Sequence, residues 1–369
     1  MDSVKQILDY REFGAVYRDS STIEDMIFTN RFFANPETTW SDKVEVVNVT
    51  AINTPGKMNI RSGPPRIVQP TDLGSQSFTI LRQSDEMPLP ADALQAVREP
   101  DSQAMQQKGR FIVQENVRKF GRQAALFKEV AIASIIQKGR LNVKADGTLL
   151  TPSVHATTGV ITDHADAQVI ADYGQPTSRR GNLGGIIDAY WDVADTDIDK
   201  HLSAIKIAAR KAGSMQPNTI YINEEDKWNL KRNTQFKTWA QYNSMRVDDV
   251  LRGDGIDGLW GFNWRFVNQY YNDEDGTAQP IIPSKCGLLT PPDGDWHRAF
   301  NGVEPVFIDP SNYFATMDQA VGALTFMEGQ IAYAMIKSGP PVTLSAFYTD
   351  NWGVGLADPN AVWTPRLFT

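Results

Sequence analysis

Between residues 102 and 138 the apolar positions recur in steps of mostly three and four: Phe111 and Val113, then Val117, Phe120, Ala124, Phe127, Ala131 and Ile135. This period predicts one long amphipathic helix with those residues near one face. Pro100, Asp101 and Ser102 form its expected N-terminal boundary, since such a cluster caps free backbone N–H groups and rarely continues a helix from upstream. Gly139 is the expected stop, because glycine adopts the left-handed conformation that ends helices, and Lys138 and Arg140 suit the negative end of the helix dipole. At about 1.5 Å per residue the helix spans on the order of 50 Å, more than most globular cores need. Gly109 and Gly121 lie inside it. Each costs about 1 kcal/mol relative to Ala, which marks them as places for a bend or a close packing contact.

On the N-terminal side, residues 1–40 hold short mixed segments with too little apolar surface for a core of their own, so they read as an arm that packs on something else. From Lys43 the period changes to two. Val44 and Val46 lie on one predicted strand and residues 77–81 on its return. Thr54-Pro55-Gly56-Lys57 and Arg61-Ser62-Gly63-Pro64-Pro65-Arg66 fall between them. A connection of that length is anomalous inside a compact domain, so a projecting two-stranded loop is expected. Such a ribbon is marginal alone in water and must lean on a neighbour.

Beyond the helix, Ala145-Asp146-Gly147 joins two short strands as a hairpin. Residues 157–185 lack a pattern and read as loop. Residues 196–212 read as a helix capped by Thr196, residues 219–222 as a strand, and residues 224–230 as the opening of a further helix. Strands follow at 264–267, 286–289 and 306–308, then a densely apolar run at 329–336, and the segments 342–347 and 351–356 finish the body before an aromatic tail containing Trp363 and Phe368. Alternation of this kind predicts a mixed α/β domain.

Composition narrows the class. With 369 residues, 41% hydrophobic and 22% charged, the chain can bury a substantial core and is not wholly disordered. No apolar run of about 18 residues is present to cross a membrane. Met1 to Gln6 lack the basic start and apolar block of a secretory signal, so cytoplasmic synthesis is expected. The single cysteine, Cys286, rules out an intrachain disulfide and reads as a small buried hydrophobe. A net charge of −8 argues against a dedicated nucleic-acid binder, but suits a wall that encloses nucleic acid without adhering to it.

Enzyme chemistry finds few candidates. His155, His164, His201 and His297 are scattered, and only His164-Ala165-Asp166 brings two metal donors together, where a site needs three or more. No phosphate-binding loop, dinucleotide fingerprint, HExxH or GxSxG elbow occurs. The segments 254–258 and 273–276 resemble fragments of calcium loops without their full ligand spacing, and read as turns. Arg252-Gly253-Asp254 is too short a match to carry meaning. The sequence therefore assigns no catalytic, cofactor or metal residue. Lys57, Arg61 and Arg66 make a basic tip on an acidic protein, suited to a carboxylate on a neighbouring subunit. Arg118, Lys119 and Arg122 place charge on the outer face of the long helix.

The order of these parts resembles the lambda-like tailed-phage major capsid proteins, whose fold is named after phage Hong Kong 97. The resemblance rests on several soft motifs across residues 41–367. They are the Gly/Pro-rich loop, Gln114-Glu115-Asn116 within a helix ending Ile135-Ile136-Gln137-Lys138-Gly139, then Gly258-Leu259-Trp260-Gly261, Asn268-Gln269-Tyr270-Tyr271, and Ile281-Ile282-Pro283-Ser284-Lys285-Cys286-Gly287-Leu288-Leu289. It implies an α+β fold with an N-terminal arm (1–42), an extended loop (43–88) and a peripheral domain (89–184) containing a spine helix. An axial α/β domain (185–304) and a return to the peripheral domain with a C-terminal tail (305–369) complete it. It further implies a non-enzymatic subunit of an icosahedral phage head enclosing double-stranded DNA, assembled in the host cytoplasm from hexamers and pentamers. Its implied partners are copies of itself, a separate scaffolding protein, a portal protein and a decoration protein at threefold positions, with no cofactor. The scaffold is expected to be separate because the 42 residues of the arm are too few for a built-in one. An isopeptide bond from Lys57 to Asn351 or Asn360 is conceivable, but lambda-like relatives generally use decoration proteins instead. A nanocompartment shell of encapsulin type is the alternative within this fold, and a metal-dependent hydrolase using His164 and Asp166 the alternative outside it.

Overall fold

The computed structural model describes residues 26–47, 75–89, 103–273, 275–307, 324–328, 330–337 and 343–369. The chain divides into two compact units. One gathers Met1–Val44, Phe78–Glu129 and Ala299–Val354, the other Glu45–Ser77, Val130–Arg298 and Gly355–Thr369.

The first unit is built on a six-stranded sheet whose main path runs Glu37–Thr39, His297–Phe307, Thr343–Leu356, Gln330–Lys337. Leu324–Glu328 pairs with the second of these and Leu81–Pro88 with the third. Strand Thr343–Leu356 runs for 14 residues without interruption, joining what the sequence pattern marked as two separate segments. The apparent break falls at Asp350, a polar residue that interrupts the apolar pattern. Backbone partners hold the strand through that point: Asp350 pairs with Gln330 in one neighbour and with Gln83 in the other.

Helix α1 (Ile27–Phe32) and the first part of helix α2 (Gln103–Lys138) complete this unit. Over 36 residues α2 extends for about 54 Å. Val113, Val117, Phe120 and Ala124 are buried, which is the predicted stripe. Phe111 is 61% exposed instead. It stands two residues from Val113, more than half a helical turn round, and so falls on the opposite face. Phe120 meets Tyr348 of the long strand edge to face at 6.1 Å.

The last nine residues of α2 belong to the second unit and are buried on every side. Gly139 then ends the helix as expected, with φ +63° and its N–H donating to the Ile135 carbonyl at 2.8 Å. The free Lys138 carbonyl accepts from the Arg180 guanidinium at 3.0 Å. Arg140, expected to favour the negative end of the helix dipole, pairs with Asp163 and Asp172.

The predicted hairpin forms as Arg140–Val143 against Leu149–Leu150, and Gln168–Asp172 adds a third strand from a region expected to be loop. The central sheet of this unit has the order Gly255–Leu259, Phe262–Val267, Thr219–Asn223, Gly287–Thr290. Its middle pair is parallel and the outer pairs antiparallel. Residues 255–258, expected as a turn, are therefore an edge strand.

Helix α3 (Ile198–Lys211) lays Ile198, Leu202, Ile205 and Ala209 into the core beside Ile220, Ile222 and Trp264. Its cap is Asp197, whose carboxylate accepts the Lys200 N–H at 3.0 Å. The predicted cap, Thr196, spends its hydroxyl on the Tyr190 carbonyl at 2.7 Å. A 3-10 turn, Asp226–Arg232, replaces the helix expected at 224–230 and leads into α4 (Thr234–Tyr242) and α5 (Val247–Arg252). The aromatic tail returns to this core: Trp363 exchanges two backbone hydrogen bonds with Leu289, and Trp363, Leu367 and Phe368 are fully buried.

Candidate functional site

The sequence offers candidates for contact instead of a catalytic set, and those among the described residues lie on α2. Arg118, Lys119 and Arg122 are all exposed. Arg118 and Arg122 are four residues apart and so stand one above the other on the helix. Glu115 approaches Arg118 at 3.9 Å, both half in solvent, a pairing that contributes at most about 1 kcal/mol and leaves the stripe basic. Lys57, Arg61 and Arg66 lie outside the described residues. Gly109 and Gly121 are buried, and α2 runs unbroken past both.

What turns the basic stripe outward is the way the opposite face is anchored. Lys128 donates to the Asp350 carboxylate at 3.1 Å and lies over the Phe33 ring at 3.7 Å, while the Tyr348 hydroxyl donates to the same carboxylate at 3.0 Å. Burial pulls the Lys128 ammonium below its ordinary range and the Asp350 charge opposes that. Beside it, Glu129 is fully buried and accepts the N–H groups of Phe28 and Thr29 at 2.8 and 2.6 Å. These are among the free donors at the start of α1, so one carboxylate ties that segment to α2. Burial pushes the Glu129 carboxyl up, against those hydrogen bonds. Lys128, half a turn round from Lys119, is thus an inner-face charge that the sequence reading missed, while Glu129 shares the side of Arg118 and Arg122 and is buried there against the start of α1. The signal for them was their setting: Lys128 and Glu129 interrupt an otherwise apolar run from Ala124 to Ala133.

A second buried cation sits where α2 ends. Lys138 donates to the Pro152 carbonyl at 2.7 Å, and burial lowers its ammonium to about 8. Cys286 is half-buried, and burial pushes its thiol up to about 11, so it is held as an unreactive thiol.

The candidates for metal chemistry do not converge. His164 and Asp166 are exposed on a turn, and His201 is buried between the Trp191 indole N–H at 3.2 Å and Asp188 at 2.6 Å. Asp273, in the calcium-like fragment, folds its carboxylate back on the N–H groups of Asp275 and Thr277, as a turn residue does. Among the described residues no group of three or more His, Cys, Asp and Glu is placed to hold a metal ion, and no helix is long and apolar enough to cross a membrane.

A long helix on a largely antiparallel sheet with one parallel edge strand, followed by a compact α/β unit, defines a structural subunit of the Hong Kong 97-type capsid fold. A protein described as a prophage capsid protein of E. coli CFT073 has this fold, aligning over 98% of this chain and 99% of its own with a TM-score of 0.59 at 11% identity. A phage-related protein of Bordetella bronchiseptica RB50 aligns over 96% of each chain with a TM-score of 0.50, also at 11% identity. The chain belongs to the phage major capsid protein E family, whose model matches residues 15–321. No curated protein matches it in sequence.

Proposed function

We propose that this major capsid protein assembles as hexamers and pentamers into an icosahedral head that encloses double-stranded DNA. The observation that carries the reading is the family match over residues 15–321, most of the chain. In this reading residues 1–42 are the arm, 43–88 the extended loop with its last strand Leu81–Pro88 joined to the first unit's sheet, 89–184 and 305–369 the peripheral domain, and 185–304 the axial domain, into whose core the tail residues Trp363, Leu367 and Phe368 pack. The basic stripe Arg118, Lys119 and Arg122 and the loop residues Lys57, Arg61 and Arg66 meet neighbouring subunits, each contact weak and the set made cooperative by closure of the shell. A net charge of −8 suits a wall that does not hold the packaged polymer against itself. A scaffolding protein, a portal and a decoration protein are the partners of this reading, host cytoplasm is its place of assembly, and expansion of a precursor shell by rigid-body rotation is its maturation step.

Electron microscopy of the chain produced with its scaffold tests the reading. Closed shells with fivefold and sixfold capsomers are expected, whereas a chain that stays monomeric under those conditions overturns it. Boiled shells should run as single subunits on denaturing gels, and a ladder of oligomers would reveal covalent crosslinks.

A further inference from the structure

The second unit carries two exposed surfaces of opposite character at the two ends of α3. Near the N-terminal end an open groove of about 580 Å3 runs between residues 194–197, α4 and the turn at Trp260. Its walls are aromatic, formed by Trp239, Tyr242 and Trp260, and its rim carries Asp195 and Asp197. Tyr242 is 86% exposed, an unusual position for a large ring in a chain with an ample core. The Asp197 carboxylate is held by the Lys200 N–H at 3.0 Å and the Gln235 amide at 2.9 Å, and the first of these keeps its carboxyl below the usual range. It therefore stays charged near neutrality.

Trp260 adds a backbone peculiarity. It occupies the left-handed region at φ +51° in the two-residue turn before Phe262, with Gly261 at +72°. Such turns prefer Asn or Asp followed by Gly, and a bulky residue there is a conformational outlier. The strained turn places an indole in the groove wall and rests it on Trp264, with ring centres 5.9 Å apart.

The other end of α3 exposes basic and aliphatic side chains, beside a loop whose Asp295 carboxylate is taken up by Arg298 at 3.1 Å. Lys211, its last residue, is exposed, Ile207 is 52% exposed and Met215 is 38% exposed. Asp197 and Lys211 are cap and final residue of one helix, about 20 Å apart. Acidic and aromatic at one end, basic and aliphatic at the other, the unit is complementary to itself head to tail. A twofold pairing would instead require one patch to match itself.

We propose that the groove of one copy receives the Lys211 end of α3 from a second copy, repeating around a ring. The ammonium meets the carboxylates of Asp195 and Asp197 and the faces of the tryptophans, and Ile207 and Met215 cover Tyr242. This contact rests on the self-assembly reading and names the residues that make it.

A reciprocal charge swap in the full chain tests it, with shell yield read by sedimentation and electron microscopy at fixed protein and scaffold concentrations. Asp195→Lys and Lys211→Glu alone should each lower yield by about tenfold, and the double variant should recover most of it. Tyr242→Ala should lower yield comparably while its thermal unfolding matches wild type, because the ring is solvated in the free chain. Single variants that assemble like wild type, or a double variant no better than the singles, overturn the proposal. So does a loss confined to binding of another virion protein with shell yield intact, since the occupant is then not a second copy. Wild-type chain that never assembles overturns the self-assembly reading and this contact with it, whereas wild-type shells with indifferent variants overturn the contact alone.

Discussion

The Lys128 ammonium and the Asp350 carboxylate meet at 3.1 Å inside the first unit, with side-chain exposures of only 5% and 0%. An ion pair so fully removed from water is held by its partners, since desolvating two charges offsets much of their attraction. Here the Tyr348 hydroxyl and the Phe33 ring supply the extra contacts.

Asp350→Ala should therefore destabilise the chain by about 3–5 kcal/mol, because it leaves a buried ammonium without its counter-charge. Replacing both partners by apolar residues of similar volume, as in Lys128→Met with Asp350→Leu, should cost far less. Chemical denaturation of the single and double variants checks this, and equal losses in both would show that the pair contributes net stability.

Glu129 gives a pH dependence with a definite sign. Its folded carboxyl lies above the ordinary 4.5, so the folded state binds the proton more tightly than the unfolded state. The stability this group contributes is full below about pH 4.5 and is lost as pH rises through the folded value. Glu129→Gln should remove that dependence. Glu129→Ala should cost about 2–4 kcal/mol by leaving the Phe28 and Thr29 N–H groups without an acceptor. Denaturation midpoints of wild type and Glu129→Gln from pH 4 upward should separate progressively if the assignment holds.

Lys138 acts in the opposite window. Its ammonium is lowered from 10.5 to about 8, so above pH 8 the unfolded chain holds a proton that the folded chain has released. Stability should rise with pH between 8 and 10.5, by up to about 3 kcal/mol from this residue. Lys138→Met should flatten that rise. Unfolding free energies across the interval for both proteins decide it, and parallel curves would assign the proton elsewhere.

Gly139 shows how much of this architecture is written locally. A glycine after a helical period predicts a left-handed stop, and the residue has φ +63° with a Cβ position only 2.7 Å from the Cβ of Gln175. Gly139→Ala should cost at least about 1 kcal/mol for backbone strain alone, measurable as a lower thermal midpoint. The spine, the hairpin at Asp146 and the strand at Ile220 were legible for the same reason, because period and turn chemistry act within a few residues. Lys128, Glu129 and Asp350 were not, since charged residues signal solvent until a partner 222 residues away is known. Likewise Thr196 and Asp197 are equivalent caps in sequence, and only the Tyr190 carbonyl decides between them. The groove of Trp239, Tyr242 and Trp260 joins segments about 20 residues apart, and no local period marks side chains that meet only across the fold.

Gly121 bears on whether the spine is rigid. In the structure α2 passes through it without a break, and the residue is buried. Glycine costs a helix about 1 kcal/mol relative to alanine, and a helix that must bend has its cheapest bending point there. If α2 bends at Gly121 while a precursor shell expands, Gly121→Ala should still form precursor shells but expand more slowly or stall. Expansion followed by electron microscopy or sedimentation compares the two proteins directly. Normal expansion of Gly121→Ala shells would remove the hinge and leave the glycine with a packing role, which a larger substitution such as Gly121→Leu would expose as a loss of stability in the free chain.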